Sequence, residues 1–423
     1  MENERKDIRY YSQNNIKLQN LIRYVNRENL IQMHNKQKKG KASGIDRITK
    51  EEYEENLEEN IRNLIDRMKK FSYKPLPVRR TYIPKANGKL RPLGIPAYED
   101  RLVQGVMANI LNEIYEVKFL DCSYGFRPNR NAHQAIREIN QRIMINKVNY
   151  ILDCDIKGFF DNVDHKWLIE FLRHDIQDEA FLRYVNRFLI SGYMEDMKRY
   201  ESDKGTPQGG LISPILANVY LHYVLDLYFE KAIKPRLKGE AYMVRYADDF
   251  VFMFQYDEEA TKVYRAIKER LAKFGLELEE DKTRILPFGR YKGTKDTFSF
   301  LGFTHYNGVT RSGKYTVGHK MNKKKRKSKQ KAITQWIKEH RAFKFKEVIK
   351  ALNKKLIGMY SYYGINGMFD ELLKLYRHTL YALRSSMFRR SQRKLSKEVF
   401  YKILKRQPVA RPRLYKDIWC WNI

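Results

Sequence analysis

Asp248 and Asp249 stand side by side in an otherwise apolar run, Tyr242-Met-Val-Arg-Tyr-Ala-Asp-Asp-Phe-Val-Phe-Met-Phe254. β-Branched and aromatic residues flank them, which reads as two short strands joined by a tight turn with the acids at its tip. Adjacent anions repel unless a cation offsets them, and carboxylate oxygens suit a hard divalent ion, Mg²⁺ before anything softer. Taken alone, an Asp-Asp dipeptide is more often a solvated turn. A second acidic stretch, Asn149-Tyr-Ile-Leu-Asp-Cys-Asp-Ile-Lys-Gly-Phe-Phe-Asp161, places Asp153 and Asp155 at the carboxyl end of an apolar strand and on one face of it. In open sheets ligands collect at that end. If the two strands are neighbours, Asp155 meets the Asp248-Asp249 turn. Three such carboxylates would hold two metal ions, the arrangement that clamps attacking and leaving oxygens in phosphoryl transfer. Upstream, Asn87-Gly88 is a strong hairpin signal that sets Lys85 and Arg91 on opposite arms. A Lys point charge and an Arg fork would grip a triphosphate there; ordinary surface charge is the alternative.

The elements that must carry these groups are legible in outline. Asn20 to His34 has helical apolar spacing, Lys36 to Asp46 is a basic loop fit for phosphates or for nothing but solvent, and Thr49 with Glu52 forms a capping box. Helical periodicity runs over Leu102 to Phe119. Ser123-Tyr-Gly-Phe-Arg-Pro128 is a turn-rich stretch expected to expose Arg127, as a structural turn or a nucleic-acid contact. Gly205-Thr-Pro-Gln-Gly-Gly-Leu-Ile-Ser-Pro214 feeds a helix, with Ser213 at the N-cap and Pro214 at the first helical position. Its small residues would let a substrate base pair approach the backbone, or simply start the helix. Asp257 to Phe274 reads as an amphipathic helix and Phe298 to Phe303 as a hairpin.

Charge separates the last third from the rest. The chain carries 83 Lys+Arg against 50 Asp+Glu, a net +33, and from His305 onward 31 basic and 6 acidic residues hold +25 of it. Such segregation marks a dedicated nucleic-acid-binding region. Lys320, Lys323, Lys324, Lys325, Arg326 and Lys327 lie in one acid-free run. Apolar stripes through Ile333, Trp336 and Ile337, through Val348, Leu352, Leu356 and Met359, and through Leu372, Tyr376 and Leu380 predict a small helical bundle whose basic side tracks a duplex. The tail, with Arg389 to Lys394 and Trp419-Cys-Trp421, mixes basic and aromatic residues as RNA contacts do, or forms a packed lid. Cys122, Cys154 and Cys420 fit no disulfide framework or zinc spacing, and no apolar run is long enough to span a membrane. A soluble, cytoplasmic protein of a reducing compartment is expected, with no membrane partner.

In this order, the blocks resemble those of a reverse transcriptase, and within that group one encoded by a group II intron (an intron maturase). The carriers are Ile83-Pro-Lys with Asn-Gly-Lys-Leu-Arg-Pro-Leu-Gly-Ile-Pro96, Ser123 to Pro128, Asp155-Ile-Lys-Gly-Phe-Phe-Asp161, Gly205 to Gly210, Tyr246-Ala-Asp-Asp249, Leu276 to Lys282, Phe300-Leu-Gly-Phe303, and the thumb-like Leu352 to Tyr363. The resemblance covers about residues 36 to 380. It implies an α+β right-hand polymerase. Residues 1–100 would hold an N-terminal extension and fingers, and 101–304 the palm, with further fingers segments at 123–148. Residues 305–385 would form the helical thumb and 386–423 a basic tail. It further implies that Asp155 and Asp248 ligate two Mg²⁺ ions, with Mn²⁺ as a substitute, Asp249 nearby and the Ile156 carbonyl as an extra ligand. Lys85 and Arg91 would hold the dNTP triphosphate, Phe160 would bar a 2′-OH, and Gln208 would lie against the nucleotide or template base. Lys282 would be a proton donor to pyrophosphate, and Asp153 and Asp161 either metal-proximal or, the preferred reading, structural. RNA template, RNA–DNA duplex and group II intron RNA are the implied partners, with splicing as an accompanying role. Many intron-encoded members carry an endonuclease with metal-ligating Cys and His. Those ligands are absent here, so an endonuclease-lacking form is expected. A host-adopted polymerase in repair or phage defence is the other reading, and a non-catalytic splicing factor a third.

Overall fold

In the computed structural model, residues 2–84, 90–195, 198–201, 203–206, 209–391 and 396–418 are described. The chain begins with α1 (Glu2–Gln13), α2 (Arg27–Lys36), α3 (Lys50–Glu55) and α4 (Leu57–Lys69). The capping box forms as expected: Thr49 Oγ1 accepts from the Glu52 amide at 3.3 Å, and the Glu52 carboxylate accepts from the Thr49 amide at 2.8 Å. The helix it opens breaks at Asn56, however, and restarts as α4. Strands β1 (Val78–Pro84) and β2 (Leu90–Ile95) pair antiparallel with Ile83 opposite Arg91, so the expected hairpin is present; its turn, with Lys85, lies outside the described residues. Next come α5 (Tyr98–Tyr115), α6 (Ala132–Ile145), β3 (Tyr150–Asp155), α7 (Phe159–Asn162), α8 (His165–Asp175) and α9 (Glu179–Ile190). After β4 (Tyr193–Glu195) and β5 (Lys198–Tyr200), α10 (Ser213–Leu221) runs into π-helical turns at His222–Asp226 and Tyr228–Ile233. Ser213 is the first helical residue rather than the cap, since Ile212 already has helical backbone angles.

Strands β6 (Ala241–Tyr246) and β7 (Asp249–Phe254) precede α11 (Asp257–Lys273) and β8 (Arg284–Pro287). The hairpin predicted around Phe298–Phe303 is β9 (Thr297–Phe300) and β10 (Phe303–Val309), joined through Leu301 and Gly302 and continued by β11 (Tyr315–Met321). The chain then folds into α12 (Lys323–Glu339), α13 (Phe345–Tyr363), α14 (Phe369–Ser391) and α15 (Lys397–Arg406). The expected class, α+β, holds.

Two compact units divide the chain: Met1–Asn131 with Cys154–Ile285, and Ala132–Asp153 with Leu286–Ile423. Three sheets run in the orders β2-β1-β4-β5, β11-β10-β9 and β6-β7-β3-β8. The last places β3 beside β7, the neighbour relation the acidic residues need. Ile151, Leu152, Val244, Phe250, Val251 and Phe252 are fully buried, so hydrophobic burial fixes that sheet's register. In the second unit the predicted stripes form one core with Ile333, Ile337, Ile349, Leu352, Leu356 and Leu372; Leu375 joins it, and α15 adds Phe400 and Leu404. No helix among the described residues is long and apolar enough to cross a membrane.

Candidate active site

The acidic turn is a two-residue connection. Tyr246 pairs with Asp249 across β6 and β7, leaving Ala247 and Asp248 between them. Such hairpins need left-handed backbone, and Ala247 adopts φ +58°, which costs about 1 kcal/mol for a residue with a Cβ. A brace beneath the turn holds it there. The wholly buried Arg245 guanidinium donates to the Ala247 carbonyl at 3.1 Å, Asn218 Oδ1 at 3.0 Å and Ser123 Oγ at 2.8 Å. It also forks onto the equally buried Asp226 carboxylate at 2.7 and 2.5 Å. Asn218 in turn donates to the Gly125 carbonyl at 2.7 Å. A Cβ on Gly125 would lie 2.4 Å from the Ala247 nitrogen, so only glycine fits against the turn. The Ser123-Tyr-Gly segment is therefore part of the seat of the acidic turn.

Arg127 corrects the sequence expectation. Its side chain is buried, donating to the carbonyls of Leu120 at 2.7 Å and Ser123 at 2.9 Å and pairing with Glu116 at 2.9 Å. Its guanidinium satisfies the carbonyls of its own turn and is turned away from solvent. Arg326 is partly buried and bonds Glu371 at 2.5 Å, tying α12 to α14. Lys320, Lys323, Lys324, Lys325 and Lys327 are exposed as expected.

Asp155 ends β3 and is half-buried. The segment after α11 lies alongside it, with the Glu279 amide donating to the Asp155 carbonyl at 2.8 Å and the Lys157 amide to the Glu277 carbonyl at 2.9 Å. That alignment brings the Lys282 ammonium onto the Asp155 carboxylate. The hydrogen bond to Asp155 raises the Lys282 pKa, and the charges of Asp155, Glu279 and Asp249 add to the effect. Burial, with the charge of Asp155, raises the Asp248 pKa against the pull of Arg91 and Lys282. Asp155, Asp248, Asp249, Arg91 and Lys282 thus share one electrostatic neighbourhood. Among the described residues no group of three or more His, Cys, Asp or Glu side chains is placed to hold a metal ion. The donor set fits a hard divalent cation nonetheless: oxygen ligands only, anions held close at a cost, and a lysine supplying positive charge to one of them.

Nearby lies a cavity of about 240 Å³ lined by Arg80, Pro92, Gly94, Phe160, Tyr193 and Thr206 among others. Phe160 is half-buried on α7, and its carbonyl accepts from the Thr206 amide at 2.7 Å. Two glycines of the glycine-rich loop are required by packing within the protein. At φ +87°, a Cβ on Gly205 would meet the Phe160 carbonyl oxygen at 2.8 Å, and one on Gly209 the Gly94 oxygen at 2.3 Å. These glycines let protein backbones approach each other. Gln208 lies outside the described residues. Arg80, which the sequence reading missed, lines the cavity with its guanidinium 3.5 Å from the centre of the Tyr193 ring.

Residues 83–305 match the model of the family described as reverse transcriptase (RNA-dependent DNA polymerase). The chain is a member of the reverse transcriptase family. Its fold is accordingly of the right-hand polymerase class. It is also homologous to group II intron-encoded proteins. It is 32% identical to the group II intron-encoded protein LtrA of Lactococcus lactis subsp. cremoris over 402 residues, 74% of this chain and 65% of that protein. It is 33% identical to protein YkfC of Escherichia coli over 306 residues, 65% of this chain and 78% of that one. It is 30% identical to a putative COX1/OXI3 intron 1 protein of Saccharomyces cerevisiae over 281 residues, 55% of this chain and 33% of the relative. The reverse transcriptase chain thus spans about 65% of the length of the Lactococcus relative.

Proposed function

We propose that this reverse transcriptase copies an RNA template into DNA from dNTPs, and that it binds a group II intron RNA to assist splicing and retrohoming. The observation carrying the catalytic reading is the convergence of Asp155, at the end of β3, with the braced Asp248-Asp249 turn on the neighbouring β7. In this reading Asp155 and Asp248, with Asp249 and the Ile156 carbonyl, hold divalent cations, Mg²⁺ or Mn²⁺ as substitute. When bound, such ions supply Lewis acidity to both the attacking and the leaving oxygen. The protein's own groups do the rest. Arg91, together with Lys85, holds the triphosphate so that its α-phosphate lies in line with a primer 3′-OH. Phe160 fills the space a 2′-OH would need, and Gln208 supports the base. Lys282, kept protonated by Asp155, is the proton donor available to departing pyrophosphate. In domain terms, residues 1–100 act as extension and fingers, 101–304 as palm, 305–385 as thumb and 386–423 as tail. Exposed lysines of α12 track the phosphates of a bound duplex.

Primer extension on an RNA template tests this directly. The wild-type chain should extend with dNTPs in preference to rNTPs, and Phe160→Ala should narrow that preference. Asp248→Asn should abolish extension. Undiminished extension by that variant would sink the metal assignment. Retention of intron RNA splicing by Asp248→Asn would show the second role to be separate from the first.

A further inference from the structure

The second unit holds a cavity of its own. It has a volume of about 800 Å³ and opens between α12 and α13, within the range of ligand-binding clefts. Its floor is aromatic and apolar, with Trp336, Met359, Tyr362 and Tyr363 among the lining residues. Trp336 is only half-buried, and His340 backs one of its faces, stacked at 4.1 Å between ring centres. The rim is cationic. The Lys355 ammonium lies 5.3 Å from the Trp336 ring centre, and that of Lys329 lies 5.1 Å from the Tyr363 ring centre. Lys325 stands beside Lys329 and, after burial, is the second cause lowering the Lys329 pKa. Among the described residues none of these three lysines is paired with a carboxylate. Glu339, the acid on the rim, accepts from the Gln335 side chain at 2.9 Å.

Gly358 adds an independent sign. It lies within α13 and lines the cavity, and a Cβ built on it would meet nothing within 4 Å. Glycine is a poor helix former. This one is needed neither for a left-handed backbone nor for close packing within the protein, its usual justifications. What it provides is open space above an aromatic floor.

We propose that this cavity receives one unpaired nucleobase of a single-stranded RNA segment, stacked against Trp336, with its flanking phosphates among Lys325, Lys329 and Lys355. A paired base in an A-form helix has no free face to offer, whereas an unstacked base does. Aromatic platforms with cationic rims are how proteins hold single strands. The inference rests on reading the chain as an RNA-binding protein but not on its catalysis.

The test uses the full chain and a short single-stranded RNA carrying one fluorescent purine analogue, with the same strand annealed to its complement as control. Binding of the single strand should quench the analogue. Gly358→Leu, which fills the cavity and favours the helix, should remove the quenching and weaken single-strand binding on the order of tenfold, the effect of one lost stacked base. Duplex binding, extension of a pre-annealed primer and the thermal midpoint should be unchanged. Should the midpoint fall, Lys355→Glu on the exposed rim decides, since it should weaken the single strand more than the duplex. Quenching and affinity untouched by Gly358→Leu would overturn the proposal. So would equal weakening of single strand and duplex, which would make the region a backbone contact. Failure of the wild-type chain to bind either RNA would instead overturn the RNA-binding reading itself.

Discussion

Arg245 and Asp226 should be replaceable together but not singly, as far as stability is concerned, and neither way as far as catalysis is concerned. Both side chains are wholly buried. Replacing Arg245 with Met strands the Asp226 carboxylate without a partner, a loss of about 3–5 kcal/mol for a broken buried pair. Replacing both, as Arg245→Met with Asp226→Leu, removes the stranded charge, and exchanges of this kind are often close to neutral. Most of the stability should then return. The turn, however, still lacks the donor to the Ala247 carbonyl and the links to Asn218 and Ser123. Ala247 would be free to leave its left-handed conformation, carrying Asp248 with it. A displacement of about 1 Å at a reacting centre costs on the order of 10²-fold in rate, so kcat of the double variant should stay depressed by about that factor. Denaturant midpoints and single-turnover primer extension read the two effects separately. A double variant as unstable as the single one would refute the buried-charge argument. Wild-type kcat in either variant would refute the brace.

Asp248 itself should trade stability for function. A carboxyl whose folded pKa is raised favours the folded state while protonated, and that contribution is lost as pH climbs through the folded pKa. Burial penalises its charged form, so Asp248→Asn should raise the unfolding midpoint in EDTA while cutting extension by about 10²-fold or more. Mg²⁺ should raise the midpoint of the wild-type chain more than that of the variant. Gly125→Ala, forcing a Cβ to 2.4 Å from the Ala247 nitrogen, should cost about 1–3 kcal/mol and depress kcat beyond what unfolding explains; an active, stable variant would count against the seat. Arg127→Ala should destabilise by roughly 3 kcal/mol and leave the salt dependence of RNA binding unchanged. Lys324→Ala should do the opposite, changing stability by under about 0.5 kcal/mol and lowering the salt slope by about one.

The acidic turn, the β1–β2 hairpin and the apolar stripes of the helices were legible because each is a local pattern. Period, turn chemistry and β-branched content all lie within a few neighbouring residues. What escaped was whatever a side chain owes to the path of the backbone, near or far. Arg127 reads as an exposed cation because nothing nearby in sequence announces that Leu120, Ser123 and Glu116 will surround it. Gly205 and Gly209 read as room for substrate, and nothing local announces that they also admit the backbone of Phe160 and of Gly94. Arg245 carried a signal that passed unused. A guanidinium between Val244 and Tyr246 in a buried strand must have a carboxylate somewhere, and Asp226, in a largely apolar helical run, was the candidate to find it.

The brace also has an order in time. Every partner that the Arg245 side chain bonds outside its own turn lies earlier in the chain, Asp226 by 19 residues, Asn218 by 27 and Ser123 by 122. At ribosomal speeds the last of these separations amounts to roughly 6–24 s of synthesis. Ser123, Asn218 and Asp226 have therefore all been synthesised before the arginine that joins them is made. The arginine closes the seat, and the two aspartates that need it are added only three and four residues later.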